Sequence, residues 1–351
     1  MYKSRCLLII SVVAIIFVLV SCSNASKYVV LYEAEKVKEE QSLKELEVKK
    51  KFRVAFIPKV GGISYFESVY EGVVEAASEL EIEVLYEAPF QADAKLQSQI
   101  VENMIKKDVD AIAVSVVDHS SLTKVLAKAR EQGIIVVTWD SDSGQSVRDL
   151  FVDMVDAEKL GRHLMDQLAQ QTNEVGEFAI MTGSFSAKNH NDWVKWIQVQ
   201  WKQYYPNMKL VEVVSTNDDK ERAYNVAINL LENYPNLNGI ISNSSVGPPA
   251  GIQAVKNKNK VGQVAVVGLS TPNLMREHLL DGSTQVISLW SPKKLGYLTI
   301  ILTNSLLENK TIEDYAFIPG VGVIRFQEEE QRVIMGESID FTKENVNQYD
   351  F

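Results

Sequence analysis

The side chains best suited to chemistry in this sequence are polar and aromatic residues that come shortly after apolar segments. Lys59, Asp140 and Trp290 each follow such a segment. The other residues placed in this way are Tyr65, Phe66, Ser115, Asp142, Asn189, His190, Asn243 and Ser245. Carboxylates and amides hydrogen-bond hydroxyl groups, and aromatic rings cover apolar C–H faces. This mixture predicts binding of a small polyhydroxylated molecule.

Each candidate also has a purely structural alternative. Lys59 and Asp140 could form an ion pair within the protein, although a ligand role is favoured because both follow strands of one expected sheet. Asp142 could cap a turn or a helix. The alternative is a core aromatic for Tyr65, Trp139 and Trp290, a surface histidine for His190 and a turn residue for Asn243.

The sequence lacks the local motifs of common enzyme classes. It contains no Gly-x-Ser-x-Gly elbow, no His-Glu-x-x-His and no Gly-x-Gly-x-x-Gly loop. Asp140 and Asp142 could transfer protons, but no nucleophile accompanies them. The four histidines and the carboxylates show no metal-ligand spacing. We therefore expect a binding protein that is not an enzyme and that uses no metal and no cofactor.

Alternating strands and helices must position the candidate residues. From residue 52, short β-branched strands alternate with helical segments up to 150–154, and the same order restarts with a helix at 157–170. Such repetition predicts a buried parallel sheet in each half. The ligand crevice of these sheets lies at the carboxyl ends of the strands. The expected fold is α/β, with two doubly wound parallel-sheet lobes and a cleft between them.

A late strand and a late helix must cross back between the lobes, so each lobe should contain two parts of the chain. The expected N-terminal lobe is 52–155 plus 287–317, and the expected C-terminal lobe is 156–286 plus 318–351. The lobes should close on a hinge of three segments. We expect these segments at 154–156, 285–288 and 317–319.

The first 22 residues predict export from a bacterial cell. Lys3 and Arg5 precede an apolar run that ends in Leu-Val-Ser-Cys22. A basic start, an apolar run shorter than the about 20 residues of a membrane-spanning helix, and small residues are typical of a signal peptide. Leu-Val-Ser-Cys resembles a lipobox, which predicts a signal peptide over 1–21 and a lipid on the Cys22 thiol. A plain secretory signal and a single anchor helix are the alternatives.

Charge and composition argue against several function classes. Residues 22–51 are rich in Glu and Lys and should form a charged tether, either helical or unstructured. The net charge of −10 argues against binding to nucleic acid or to anionic lipid, so the lipid anchor should be the sole membrane contact. A transcriptional repressor with a two-lobed core would need a basic helix-turn-helix where this chain has its export signal.

Several short segments carry a family resemblance. They are Phe-Ile-Pro-Lys59, Thr-Trp-Asp140-Ser-Asp, Val-Gly-Leu-Ser-Thr-Pro-Asn273-Leu-Met-Arg276, Ile-Pro-Gly-Val-Gly322 and the ending Phe-Thr-Lys-Glu-Asn-Val-Asn-Gln-Tyr-Asp-Phe351. Together they resemble the autoinducer-2-binding proteins of the Lsr type. Leu-Trp290 and Leu-Gly-Tyr-Leu-Thr299 also match the rhamnose-binding proteins of ABC importers. The resemblance covers about residues 52–351.

The resemblance implies the type I periplasmic-binding-protein fold and a lipid-anchored solute receptor of an ABC importer. Such a receptor would act as a monomer outside the cytoplasmic membrane or on the periplasmic side. It would bind a sugar or sugar-like polyol, such as autoinducer-2 or rhamnose, and deliver it to the transporter permease. A receptor that presents its ligand to a chemotaxis or two-component sensor is the alternative.

The resemblance also implies roles for individual residues. Lys59 and Asp140 match a ligand-binding lysine and aspartate, Trp290 matches a pocket tryptophan, and Tyr65 falls on a pocket phenylalanine. Other positions depart from the family. Where the family has an Asp-Gln pair, this chain has Asn189-His190, and where the family has Pro and Ala contact residues, it has Asn243 and Ser245. The family's acidic residue after the tryptophan is replaced by Ser291. The ligand can therefore differ from autoinducer-2.

Overall fold

The computed structural model describes residues 51–351. The predicted signal peptide, the lipidation site Cys22 and the tether up to residue 50 lie outside the described residues. Within 51–351, no helix is long and apolar enough to cross a membrane.

The described chain alternates strands and helices, as the sequence predicts. The strands are β1 (Arg53–Ile57), β2 (Glu83–Tyr86), β3 (Ala111–Val114), β4 (Ile135–Trp139), β5 (Leu150–Val155), β6 (Gly176–Thr182), β7 (Met208–Ser215), β8 (Leu237–Ser242), β9 (Ala265–Gly268), β10 (Val286–Leu289), β11 (Phe317–Ile318), β12 (Gly322–Val323), β13 (Arg325–Gln327), β14 (Arg332–Gly336) and β15 (Ile339–Thr342). The helices are α1 (Ser64–Glu79), α2 (Ala94–Lys106), α3 (Thr123–Glu131), α4 (Ala157–Gln171), α5 (Lys188–Tyr204), α6 (Lys220–Asn233), α7 (Gly247–Asn257), α8 (Pro272–Leu280) and α9 (Pro292–Leu307).

The N-terminal lobe contains a seven-stranded sheet in the order β13-β14-β5-β4-β3-β1-β2. Its strands are parallel except for β13, which pairs antiparallel to β14. Successive residues of β1 point to opposite faces. Val54 and Phe56 join the core on the side of α1, and Ala55 and Ile57 join the core on the side of α2 and α3. This sheet is therefore covered by helices on both faces, as its continuous apolar strands predict.

Helices α1 and α9 pack on the same face of this sheet and approach each other through two glycines. A Cβ atom on Gly72 would lie 1.8 Å from the Lys293 carbonyl oxygen, and one on Gly296 would lie 1.9 Å from the Val69 carbonyl oxygen. Such contacts leave no room for a side chain at either position. The close approach fixes α9, and with it the chain that returns from the C-terminal lobe.

The C-terminal lobe contains a parallel sheet in the order β7-β6-β8-β9. A single parallel bridge between Leu269 and Ser288 joins β10 to its edge, and β15 pairs antiparallel to β10. Helix α4 packs with α5, and α6 packs with α7. The two doubly wound lobes and the α/β fold class are thereby confirmed.

The expected division of the chain between the lobes needs two corrections. Strand β10 belongs to the C-terminal lobe, so the crossing follows Leu289 rather than residues 285–288. The expected assignment of all of 318–351 to the C-terminal lobe is wrong for 325–336. Strand β14 pairs parallel to β5 there, with Val333 beside Val152, because the edge of β5 is otherwise unpaired.

Three crossings follow from this pairing. The chain passes between the lobes after β5, after β10 and after β14. The first crossing coincides with the expected segment 154–156. The third lies between Gly336 and Ile339, and not at 317–319. All three cross at the same side of the molecule, because β5 and β14 are neighbours and β10 pairs with β15.

Candidate functional site

The carboxyl ends of strands from both lobes meet around one cavity. The space in and around it that no protein atom fills, including open solvent at the mouth, is about 390 Å³. The lining residues are Lys59, Ile63, Tyr65, Phe66, Asp140, Asn189, His190, Trp193, Asp218, Asn243, Ser244, Ser245, Leu269, Leu289 and Trp290. The structure therefore brings together nine of the eleven residues that the sequence singled out, all except Ser115 and Asp142.

Lys59 and Asp140 form a buried ion pair in the wall of this cavity. The Lys59 Nζ atom lies 3.0 Å from Asp140 Oδ2, and the two side chains are 4% and 5% exposed. Lys59 also donates to Asn189 Oδ1 of the C-terminal lobe at 3.2 Å. Lys59 and Asp140 therefore form an ion pair within the protein and also line the cavity. Leaving either charge alone would be costly in a site so far removed from water.

The Asp140 carboxylate accepts hydrogen bonds from four side chains. The Oδ2 atom accepts from Ser115 Oγ at 2.6 Å and from Lys59 Nζ at 3.0 Å. Tyr65 OH and Asn189 Nδ2 donate to Oδ1 at 3.3 and 3.4 Å. Ser115 is fully buried and does not line the cavity. It therefore orients Asp140 rather than contacting a ligand.

The backbone at Asp140 adopts a turn that aims its side chain at the cavity. Asp140 has a φ of 59°, and the Ser141 N–H donates to the Trp139 carbonyl at 2.6 Å. A three-residue turn with positive φ at its centre is rare and strained for a residue that is not glycine. Aspartate tolerates the left-handed region better than most residues. The turn immediately follows β4, so the strand end fixes the direction of the carboxylate.

Aromatic rings from both lobes form one side of the cavity. Trp290 Nε1 donates to Tyr65 OH at 3.1 Å, and the two rings meet edge to face with centroids 6.1 Å apart. Trp193 lies against Trp290 with centroids 5.8 Å apart. Burial, and then the Asp140 charge, raise the pKa of Tyr65 well above its ordinary value, so its hydroxyl stays protonated and donates. Trp139 instead stacks on Phe56 in the core, at a centroid distance of 4.6 Å.

His190 is a neutral imidazole with a defined tautomer. The Ser184 N–H donates to its Nδ1 atom at 2.9 Å, so Nε2 carries the proton. Burial, followed by the nearby Lys59 charge, lowers the pKa of His190 to about 4. His190 therefore contributes an N–H donor to the cavity wall and no positive charge at neutral pH.

Asn243 uses both ends of its amide to hold the C-terminal half of the site together. Its Oδ1 atom accepts from the Gly183 N–H at 3.2 Å, and its Nδ2 atom donates to the His190 carbonyl at 3.1 Å. The end of β6 is thus fastened to the start of α5. Asn243 lines the cavity, but its hydrogen bonds make it a positioning residue. Ser245 lines the cavity beside it.

Asp142, which is expected to contact the ligand, does not line this cavity. Arg148 holds its carboxylate with Nε–Oδ1 and Nη2–Oδ2 distances of 2.7 and 3.0 Å. The Thr138 hydroxyl and the Ser143 N–H donate to the same carboxylate. These bonds tie Asp142 to Thr138 of β4 and to the loop between β4 and β5. The side chain of Asp142 thus forms an ion pair within the N-terminal lobe, which differs from the expected cap of a turn or helix.

Sequence reasoning missed several lining residues, and two of them left a signal. Trp193 lies four residues after Asn189 on α5, so both face the same side of the helix. Asp218 lies three residues beyond the end of β7, so it also follows an apolar strand. Ile63, Ser244, Leu269 and Leu289 complete the missed set. In the described part of the chain, no group of His, Cys, Asp and Glu could hold a metal ion.

Comparisons with known proteins give a family and relatives. Residues 54–311 match the family model described as a periplasmic binding protein domain. The D-ribose/D-allose-binding protein of Pseudomonas aeruginosa is 27% identical over 197 residues, which are 55% of this chain and 61% of that protein. The chain therefore spans less than two thirds of that relative's length.

Solved structures share the fold over nearly all of the described chain. LsrB from Clostridium saccharobutylicum in complex with AI-2 has a TM-score of 0.81 at 26% identity, over 85% of this chain and 100% of that one. A solute-binding protein from Clostridium phytofermentas with bound L-rhamnose has a TM-score of 0.80 at 24% identity, over 86% and 98%. The resemblance read from the sequence motifs is confirmed. The chain belongs to the periplasmic binding protein family, which is a family of solute-binding proteins rather than enzymes.

Proposed function

We propose that this protein is a lipid-anchored receptor that binds a small neutral sugar or sugar-like polyol between its lobes and delivers it to the permease of an ABC importer. The observation that carries the proposal is the cavity between the lobes, with the buried Lys59–Asp140 pair in its wall and aromatic rings beside it. The anchor is the Cys22 lipid expected from the export signal.

The groups around the cavity complement a polyol. A sugar hydroxyl both donates and accepts, so it needs partners of both kinds. Lys59 and the His190 Nε2–H supply donors, and the Asp140 and Asp218 carboxylates supply acceptors. Trp193, Trp290 and Tyr65 offer ring surface for the apolar C–H groups of a sugar. A ligand held in this way would contact both lobes and would favour the closed form.

The relatives support this ligand class. One carries the name of a D-ribose/D-allose-binding protein, and LsrB was solved in complex with AI-2. Asn189, His190, Asn243 and Ser245 differ from the autoinducer-2-binding pattern that the sequence resembles. A pentose, a hexose or a deoxyhexose therefore belongs in the search beside autoinducer-2.

A thermal-shift screen tests the proposal. The mature chain carrying Cys22→Ser, which keeps it free of lipid, would be heated with D-ribose, D-allose, D-arabinose, L-rhamnose, xylitol or autoinducer-2. A ligand at 100 times its Kd should stabilise the folded state by about 2.7 kcal/mol. Asp140→Ala should lose the shift for the same compound. A panel in which no compound raises the melting temperature would contradict the proposal.

Uptake measurements separate transport from ligand presentation. Cells that carry the receptor but lack the partner permease should not accumulate the radiolabelled ligand. Normal uptake in such cells, together with a lost chemotactic or transcriptional response in cells without the receptor, would instead favour a sensor partner. Both roles use the same cavity.

A further inference from the structure

Asp218 is a carboxylate that the loop after β7 places in the cavity wall. It lies three residues beyond the end of that strand and has a φ of 54°. Its Oδ1 atom accepts a hydrogen bond from Ser244 Oγ at 2.7 Å. Asp218 thus belongs to the C-terminal side of the cavity, whereas Asp140 belongs to the N-terminal side.

Gly183 allows this carboxylate and the His190 ring to pack closely at the end of β6. A Cβ atom on Gly183 would lie 2.3 Å from His190 Cε1 and 2.5 Å from Asp218 Oδ1. Any larger residue at 183 would push one or both of them away. The two side chains therefore form one unit of the wall, with an N–H donor and a carboxylate acceptor side by side.

The charge of Asp218 is not balanced in the way that the charge of Asp140 is. Asp140 pairs with Lys59 and accepts from three further side chains. Asp218 accepts from the neutral Ser244 hydroxyl, and no ion pair within residues 51–351 includes it. His190 supplies no compensating cation at neutral pH, because its pKa lies near 4. The charged groups of the wall, Lys59, Asp140 and Asp218, sum to −1.

We propose that Asp218 binds the ligand and sets its charge specificity. Its carboxylate accepts a hydrogen bond from a ligand hydroxyl at the C-terminal side of the cavity, and its negative charge excludes ligands that carry a carboxylate or a phosphate. The inference rests on the proposed function, because it concerns the same cavity and names the ligand class as uncharged polyols.

The test compares Asp218→Asn with the matched control Asp219→Asn. Asparagine keeps the size of Asp218 and tolerates its positive φ. Asp219 lies one residue away, is exposed and caps α6 by accepting from the Arg222 N–H at 2.7 Å. Asparagine is an equally good cap, so the control removes the same charge outside the cavity. Each protein would be titrated with pairs of compounds: D-ribose and D-ribonate, L-rhamnose and L-rhamnonate, D-galactose and D-galacturonate.

The wild type should bind one neutral member and reject its acid. Asp218→Asn should weaken the neutral ligand at least tenfold and should reduce the preference over the acid at least tenfold. Asp219→Asn should change both by less than twofold. If Asp218→Asn leaves affinity and preference within twofold while Lys59→Ala abolishes binding, the inference is wrong and the proposed function stands. If the wild type binds no member of this set or of the thermal-shift panel, both are wrong.

Discussion

Removing Lys59 distinguishes a ligand-binding pair from an ion pair that serves only stability. In Lys59→Ala, Asp140 would remain buried with three neutral donors from Ser115, Tyr65 and Asn189. The variant also removes the Nζ donor from the cavity wall. We therefore expect two separate losses, one in folding stability and one in ligand affinity.

The structure allows both losses to be estimated. Breaking a buried ion pair costs about 3–5 kcal/mol of stability, and the remaining donors to Asp140 place the expected loss near the lower end. Leaving a ligand hydroxyl without its charged partner costs about 2–4 kcal/mol of binding free energy. That range corresponds to an increase of about 30- to 1,000-fold in Kd.

The chain contains a matched control for this experiment. Arg148 and Asp142 form an ion pair in the same lobe, with side chains 4% and 6% exposed, against 4% and 5% for Lys59 and Asp140. The control pair does not line the cavity. Arg148→Ala should therefore lower the melting temperature at least as much as Lys59→Ala, because Arg148 also donates to two backbone carbonyls. It should leave Kd unchanged.

Calorimetric titration of the folded proteins with the best ligand of the sugar panel measures affinity, and thermal unfolding without ligand measures stability. A Lys59→Ala protein that melts earlier yet binds within twofold of the wild type would refute the reasoning. Lys59 would then stabilise the lobe without contacting the ligand. Equal losses of affinity in Lys59→Ala and Arg148→Ala would refute it as well, since the effect would be indirect.

Three further predictions concern pH, anchoring and closure. The pKa of buried His190 is lowered to about 4, so between about pH 6.5 and pH 4 the unfolded state binds a proton that the folded state does not. The free energy of unfolding should therefore fall as the pH falls through this window, by up to about 3 kcal/mol. Denaturant titrations should show this fall in the wild type and not in His190→Gln, and an equal fall in both proteins would contradict the assignment to His190. Cys22→Ser should move the protein from the detergent phase to the aqueous phase, and equal partitioning of both proteins would contradict lipidation. A saturating ligand should reduce the radius of gyration in small-angle scattering, and an unchanged radius would contradict closure on the three crossings.

The regular elements could be predicted from the sequence because their signals are local. Helix α4 spans Ala157–Gln171, close to the expected 157–170, and the strands up to β10 lie where the apolar segments are. The region 317–342 could not be predicted in the same way. Strands β11, β12 and β13 have only two or three residues, which is too short for a recognisable period. The partner of β14 is β5, about 180 positions earlier in the chain, and only the three-dimensional packing selects that edge.

The site could be predicted to the level of strand ends but not to the level of side-chain direction. Asp140 and Asp142 follow the same strand and are two residues apart, yet they point to different places. The strained turn at Asp140 aims one carboxylate into the cavity, whereas Arg148 holds the other in a loop. Ser115 satisfies the same strand-end rule and lies beneath the cavity wall. Turn geometry and long-range partners decide these cases, and neither is visible in a local pattern.

Asn189 connects ligand binding to the contact between the lobes. It lies on α5 of the C-terminal lobe, accepts from Lys59 at 3.2 Å and donates to Asp140 at 3.4 Å. Ser115 holds the other oxygen of Asp140 at 2.6 Å, so a ligand hydroxyl would replace the longer Asn189 bond rather than the short one. Ligand binding would then exchange direct bonds between the lobes for bonds through the ligand. The affinity is set by the difference between these two sets of bonds.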